Sequence, residues 1–391
     1  MSLEWSMGQG AVDAFALMHG NTAWNYDLSH AEYVISFGLD CLQAFPSPVE
    51  ASRAYGYLRR GRTDRRVRIV QVEPRRSVAG IKTDLWVPIK PGTEGMLALG
   101  MAHVLIAEEK YNRAFVERHT AGFEDWTDTE GTRHDGFKSI VMKDYTPGTV
   151  AAVTGIPSEA IVRLAHEFAG RKPALALSDR LRVVDQIAVH SLNILMGNVG
   201  SPGGVVPRAT PSVFHPEEAN KDITTSSVGL RASRGVLDVL TEADLDPLWL
   251  YRANPLFLGA QPDRWADLLE RLPFIVSFSS FLDETALFAD LILPESTDLE
   301  TWQAASVSTL AGFPVWSVGK PATRPLYDTR HAGDAALEIA RRTDLAVALP
   351  WENFETVVRE SIRSICEKGK GTPLGGGEIP ETEEDFYEAV V

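Results

Sequence analysis

A chain of 391 residues exceeds one typical hydrophobic core, so its length predicts two α/β domains. Composition is that of an ordinary globular protein, 44% hydrophobic and 23% charged, while a net charge of −15 repels phosphate backbones and excludes general nucleic-acid binding without forbidding a local basic pocket. The two cysteines, Cys41 and Cys366, are too few for a cysteine-ligated iron–sulfur cluster or a Cys-rich zinc site within these residues, and no apolar run reaches the roughly 18 residues that span a bilayer.

The opening "MSLEWSMGQG" lacks the basic and apolar segments of a signal peptide. Met1-Ser2-Leu3 suits an expression leader, and the abrupt start suits an excised piece of a longer chain, an expectation that intact mass against the genomic reading frame tests. The first strand is expected in "AEYVISFGLD" (31–40), stopping at Gly38, with "PSPVEASRAYGYLRRG" after it. "VRIVQVEPRR" (67–76) and "PALALSDR" (173–180) repeat the pattern, the latter leading into "QIAVHSLNILMGNVG". Such near-continuous apolar strands are buried on both faces, as in a parallel sheet sandwiched by helices. "GTEGMLALGMAHVLIAEEKY" (92–111) predicts a buried helix with Thr93 as N-cap and Glu94 in its first turn. "PSEAIVRLAHEFAG" (157–170) predicts another, capped by Ser158 and stopped at Gly170.

Residues 197–235 break the rhythm with Gly, Pro and polar residues, as a functional loop or interdomain connection does. The alternation then resumes with a strand in "PLWLYRANP" (247–255) and a helix in "PDRWADLLERL" (262–272). Strand, loop, short helix and strand are expected over 273–296. The domain reading is an N-terminal segment at 1–24, α/β units at 25–205 and 236–345, a connection at 206–235, and a terminal helix and polar tail at 346–391.

Ligands of parallel α/β sheets bind at the carboxyl ends of strands. Those ends carry Gly38 and Asp40, Glu73 and Arg75, Ser178 and Asp179, Asn254 and Pro255, Ser279, and Glu295. Small and polar residues there suit phosphate or ribose contacts, and equally suit ordinary turns and caps. Asp84, just ahead of "LWVP", stands between the same two readings: a polar strand-end residue or a carboxylate matched to guanine. No G-x-G-x-x-G follows a strand, which disfavours conventional nicotinamide binding, and G-x-x-x-x-G-K-[ST], G-x-S-x-G and H-E-x-x-H are also missing. His103 and His190 fall in apolar helix patterns as core residues, and Cys41 reads as a buried structural thiol rather than a reactive one. These residues alone describe a two-lobed binder of an extended, phosphate-bearing ligand without a catalytic constellation.

The order of the segments "AEYVISFGLD", "VRIVQVEPRRSVAGIKTDLWVPIKPGTEGMLALGMAHVLI", "NILMGNVGSPGG", "LYRANPLF", "FLDETALFADLILPESTDLE" and "KPATRPLYDTRHAGDAALEIARR" resembles the molybdopterin oxidoreductases of the dimethyl sulfoxide reductase type. The wording is similar to the polysulfide, thiosulfate and tetrathionate reductase branch, over about residues 30–345. The resemblance implies two Rossmann-like domains related by pseudo-twofold symmetry. Each would hold one nucleotide of a bis(molybdopterin guanine dinucleotide). Gly38, Asp40, Glu73, Arg75, Asp84, Lys90 and Gly92 would surround one, with Asp84 reading guanine and Lys90 balancing a phosphate. Asn254, Pro255, Ser279, Phe281, Thr285 and Asp290 would surround the other.

The resemblance further implies a respiratory oxidoreductase of a small inorganic oxo or sulfur compound, with molybdenum cycling between Mo(IV) and Mo(VI). An iron–sulfur subunit and a membrane quinone-reactive subunit are its implied partners, in a periplasmic or membrane-associated setting. The family's N-terminal [4Fe–4S] domain, its molybdenum ligand, normally shortly before the match to "GNTAWNYD", and its C-terminal domain have no counterpart here. The expectation is therefore the two central domains of a larger enzyme, inactive as they stand, or a structural subunit that keeps the fold without molybdenum.

Overall fold

The computed structural model describes residues 9–20, 24–40, 42, 48–62, 66–179, 181–207, 237, 240–241, 247–259, 261–308, 314–343 and 349–367. Cys41, nearly all of the expected connection at 206–235, and the polar tail at 370–385 lie outside these residues. The described elements divide into two compact units, one between residues 9 and 207, the other between residues 237 and 367.

The first unit contains α1 (Gln9–His19), β1 (Trp24–Tyr26), β2 (Tyr33–Phe37), α2 (Pro48–Gly56), β3 (Arg68–Glu73), α3 (Val78–Lys82) and β4 (Leu85–Pro88). It continues through α4 (Glu94–Ala107), α5 (Arg113–His119), β5 (Trp126–Thr127), β6 (Arg133–His134), α6 (Phe137–Asp144) and α7 (Pro147–Thr154). It ends with α8 (Ser158–Gly170), β7 (Ala174–Ser178), α9 (Val183–Met196) and β8 (Val205–Pro207). Four strands pair in the order β4-β3-β2-β7, all parallel. β2 has β3 on one side and β7 on the other, so the chain reverses direction across the sheet at β2. That is the topological switch point of a doubly wound fold, where a crevice opens beyond the strand ends.

The apolar runs form these strands because both faces are buried, as their near-continuous hydrophobicity predicts. Ile35, Phe37, Val70 and Val72 point into a core shared with α4, α8 and α9, whereas Val34, Ile69, Leu175 and Leu177 meet Phe15 of α1 and Ala51 and Ala54 of α2. Gly95 is the close-approach residue of the larger core. A Cβ there would sit 2.8 Å from Asp185 Cα, so only glycine lets α4 come this near α9.

Two capping expectations change. Thr93 is the N-cap of α4, but its hydroxyl donates to Lys90 O at 2.7 Å rather than accepting from the helix. Pro157, not Ser158, caps α8, because Ser158 is already helical and its hydroxyl donates to Pro147 O. α4 also stops at Ala107, short of Tyr111, since Glu109 adopts φ 52° and leaves the helical region.

The second unit contains β9 (Leu248–Tyr251), α10 (Pro255–Leu258), α11 (Pro262–Arg271), β10 (Ile275–Ser279), β11 (Leu291–Pro294), β12 (Gln303–Ser308), β13 (Pro314–Gly319), α12 (Ala332–Arg341) and α13 (Phe354–Glu367). Its parallel sheet has the order β11-β10-β9, with Leu250, Leu269 and Ile275 packed between sheet and α11. Among the described residues no helix is long and apolar enough to cross a membrane.

The two sheets repeat each other in detail. β3 pairs with β4, and β10 with β11, with partners fifteen residues apart in both units. Gly38 (φ 69°) donates its N–H to Val72 O, and Arg252 (φ 47°) donates to Phe278 O at the corresponding place. Asp84 exchanges two bonds with Ile69, N–H to O at 2.9 Å and Oδ2 from N–H at 2.8 Å. Asp290 does the same with Ile275, at 3.0 and 2.8 Å.

Candidate functional site

The carboxyl-terminal edge of the first sheet gathers the turns after β2, β3, β4 and β7. The β2 turn is fixed from below: Leu39 O accepts from Ser36 Oγ at 2.8 Å and from Gln71 Nε2 at 3.0 Å. Gly38 supplies the left-handed backbone that this turn needs. Asp40 is half-buried, and its Oδ1 accepts from Leu42 N–H. Glu73 is turned inward instead. Its Oε1 accepts from Ser77 N–H at 2.6 Å and its Oε2 from Gln71 at 3.0 Å, so its carboxylate closes the β3–α3 loop.

Arg75 and Lys90 are exposed at the ends of β3 and β4, and neither has an ion-pair partner among the described residues. Arg182, immediately before α9, reaches from the β7 side to Gly92 O at 3.3 Å while its Nε pairs with Asp185 at 2.7 Å. The sheet edge therefore carries Gly38, Asp40, Arg75, Lys90, Gly92 and Arg182, of which Arg182 touches Gly92, while the Lys90 stem lies against Gly155 at the end of α7. Sequence reasoning stopped at Ser178 and Asp179 on this strand end and passed over Arg182. The available signal was a basic residue directly ahead of a helix that follows a buried strand.

Asp84 belongs to the other end of the sheet. It precedes β4, about 13 Å of strand away from the carboxyl edge at 3.3 Å per residue. Both of its oxygens are engaged: Oδ2 by Ile69 N–H and by Arg59 at 2.7 Å, Oδ1 by Arg66 at 3.2 Å. The Arg59 side chain is only 6% exposed, lies over the Tyr55 ring, and also donates to Lys82 O. Asp84 therefore neutralises a buried guanidinium and ties β4 to β3.

In the second unit Asn254 follows β9. Its Oδ1 accepts from Thr285 Oγ1 at 2.7 Å and from Phe257 N–H, and its Nδ2 donates to Glu284 at 2.7 Å. That donated bond lowers the Glu284 pKa below the usual carboxylate range. Thr285 is fully buried and accepts from Leu256 N–H, so Asn254, Pro255 and Thr285 form one knot. Ser279 both donates to Phe281 O and accepts from Phe281 N–H, which leaves the Phe281 ring 80% exposed. Asp290, like Asp84, lies at the amino-terminal edge. Arg252, where the first unit has Gly38, is held by Asp298, Glu295 and Ser296 O. Among the described residues no three His, Cys, Asp or Glu side chains cluster as a metal site.

One edge thus presents, on the ends of β3 and β4, two exposed cations without ion-pair partners among the described residues, together with a left-handed turn after β2, a place for phosphate oxygens. The other presents an amide–hydroxyl knot beside an exposed aromatic ring, a place for polar edges and a flat ring.

Comparison with known proteins fits this arrangement. The sequence profile of the molybdopterin oxidoreductases matches residues 5–340. The menaquinone reductase molybdopterin-binding-like subunit of Nitratidesulfovibrio vulgaris is 31% identical over 361 residues, covering 90% of this chain and 48% of that protein. The thiosulfate reductase molybdopterin-containing subunit PhsA of Salmonella typhimurium is 26% identical over 383 residues, covering 88% and 48%. The chain spans about half the length of the curated relatives it matches. Acetylene hydratase from Pelobacter acetylenicus shares the fold with a TM-score of 0.66 at 19% identity, over 88% of this chain and 51% of that one.

Proposed function

Because this chain belongs to the molybdopterin oxidoreductase family, we propose that it is the cofactor-binding portion of an oxidoreductase, holding the nucleotide ends of a bis(molybdopterin guanine dinucleotide) at the carboxyl edges of its two sheets. The observation that carries this reading is the first edge: the left-handed Gly38 turn on the same carboxyl edge as Arg75 and Lys90, two cations without ion-pair partners among the described residues, on a chain of net charge −15. Phosphate supplies the charge that such an edge lacks, so these residues fit the group.

Gly38, Asp40, Arg75, Lys90 and Gly92 are assigned to one nucleotide, with Arg182 added. Asn254, Pro255, Ser279, Phe281 and Thr285 are assigned to the other. Glu73, Asp84 and Asp290 take structural roles in this reading, because their carboxylates already serve backbone amides, and Asp84 a buried arginine as well. The cofactor, when bound, supplies the two-electron redox chemistry, and the chain supplies placement and electrostatics.

The respiratory role rests on relatives. A reductase acting on a small inorganic oxo or sulfur compound, working with iron–sulfur and membrane quinone-reactive subunits, is the reading that a thiosulfate reductase relative favours. A second reading has its own support. The 31% identical relative is named a molybdopterin-binding-like subunit of a menaquinone reductase, which favours a subunit that keeps the fold for assembly.

Titration of guanosine diphosphate into the 391-residue chain tests the proposed edge. Binding that weakens with salt, and weakens further in Arg75→Ala and Lys90→Ala, is the expected result. Binding indifferent to both substitutions refutes the assignment.

A further inference from the structure

Helix α1 runs beside α9 from the turn that follows β7. Its front end rests on that turn: a Cβ at Gly10 would collide with Leu181 O and stand 3.9 Å from Gln186 Cγ. Leu181 in turn packs beside the Gly38 turn, 3.3 Å from where a Cβ of Gly38 would stand. At the far end of α1, His19 Nε2 meets His190 Nε2 of α9 at 2.6 Å. The Phe15 ring approaches His190 edge-on with centroids 4.8 Å apart, and the Trp24 ring lies 4.6 Å from that of His19.

The hold on α1 is narrow. Among the described residues Ala14 and Phe15 are its buried apolar side chains, and a helix of 11 residues is marginal on its own. The histidine contact is therefore a large share of what keeps α1 in place, and it works only while the rings are neutral, with a single hydrogen between them. His190 is 3% exposed, and its Nδ1 has no hydrogen-bond partner among the described residues, so a second proton there finds no acceptor. No opposite charge offsets it. Asp13 of α1 is buried, Asp185 of α9 is paired with Arg182, and Tyr26 of β1 donates to Ser178 O. None of these acts on either imidazole: burial lowers both pKa values, and His19 lowers that of His190 further.

We propose that α1 is a pH-released strap over the β7–α9 turn, latched by the neutral His19–His190 pair and freed when that pair takes up protons. Release uncovers Leu181, which precedes Arg182 and supports the Gly38 turn. The inference goes beyond the cofactor reading and does not depend on whether a cofactor binds. In the released form His190 meets water and binds its proton near 6.5, against about 3 when docked. The docked form is thus fully favoured above pH 6.5 and loses ground as pH falls below it. His190 alone raises the opening constant roughly tenfold between pH 7 and pH 5.5.

Hydrogen exchange read by mass spectrometry on the 391-residue chain tests this, at pH 7 and pH 5.5, with rates corrected for intrinsic exchange at each pH. Peptides from β2 and β3 report unfolding of the whole first unit, and α11 is the control in the second. The expected result is that α1 opens at least about tenfold more often than β2 and β3 at both pH values. Its opening constant rises roughly tenfold at the lower pH, α11 changes by less than about twofold, and the double variant His19→Phe/His190→Phe loses the rise. An α1 opening constant indifferent to pH overturns the proposal. So does exchange of α1 in step with β2 and β3, which means that α1 opens only when the whole unit unfolds. A rise that survives in the double variant overturns it as well. Where that variant does not fold, the pH dependence of the parent decides alone.

Discussion

Replacing Asp84 separates a structural carboxylate from a ligand-reading one. In Asp84→Ala three donors lose their acceptor: Ile69 N–H, Arg59 and Arg66. Arg66 is exposed and its pairing adds little. Arg59 is the decisive partner, because its side chain is 6% exposed and its charge stays buried without compensation. Breaking one side of a buried pair costs about 3–5 kcal/mol. Asp290→Ala removes the corresponding backbone bond to Ile275 with no arginine paired to it among the described residues, so its cost is about 1–3 kcal/mol. Against a total stability of roughly 5–15 kcal/mol, the first substitution is severe and the second moderate. Urea unfolding at pH 7, followed by far-UV circular dichroism, measures both. A stability of Asp84→Ala within about 0.5 kcal/mol of the parent, the range of an ordinary surface change, refutes the reasoning. Loss of nucleotide binding at such unchanged stability restores Asp84 as a guanine reader.

Other substitutions and conditions probe the remaining structure. His190 is buried against Phe15 and bonded to His19 at 2.6 Å, and burial, then the neighbouring His19, push its pKa down to about 3. The unfolded imidazole takes up its proton near 6.5, so the neutral folded form is fully stable above that pH and loses stability as pH falls towards 3. Between pH 7 and pH 5 unfolding experiments should show a loss of about 2 kcal/mol that His190→Phe removes; a pH dependence unchanged by the substitution counts against this origin. Gly95→Ala brings a Cβ to 2.8 Å from Asp185 Cα, so overpacking should cost about 1–3 kcal/mol in thermal melts, and a neutral effect contradicts the close approach of α4 and α9. Lys90→Ala and Arg75→Ala touch no ion pair among the described residues, so their stabilities should stay within about 0.5 kcal/mol of the parent; a larger loss means they serve the fold.

The sequence made the parallel α/β architecture legible because β2, β3 and β7 are buried on both faces, and burial on both faces leaves a continuous apolar run. α4 was legible for the same reason. The two- and three-residue strands β1, β5, β6 and β8 were not, since so few residues carry no period. The side of the sheet on which a residue lies was also hidden. Asp84 and Arg75 both flank apolar strands, and only the strand direction puts one at the amino end and the other at the carboxyl end. The partner that engages Asp84, Arg59, is 25 residues away in a π-helical turn, beyond the reach of local pattern.

The most direct test of the central claim is nucleotide and metal content. The natural full-length protein, purified anaerobically from cells able to make the cofactor, is hydrolysed in acid, and the released GMP is quantified by mass spectrometry beside molybdenum by plasma spectrometry. The account predicts two GMP for each molybdenum, with both reduced in the Arg75→Ala and Lys90→Ala double variant. A folded protein that yields neither GMP nor molybdenum contradicts it and leaves the structural-subunit reading.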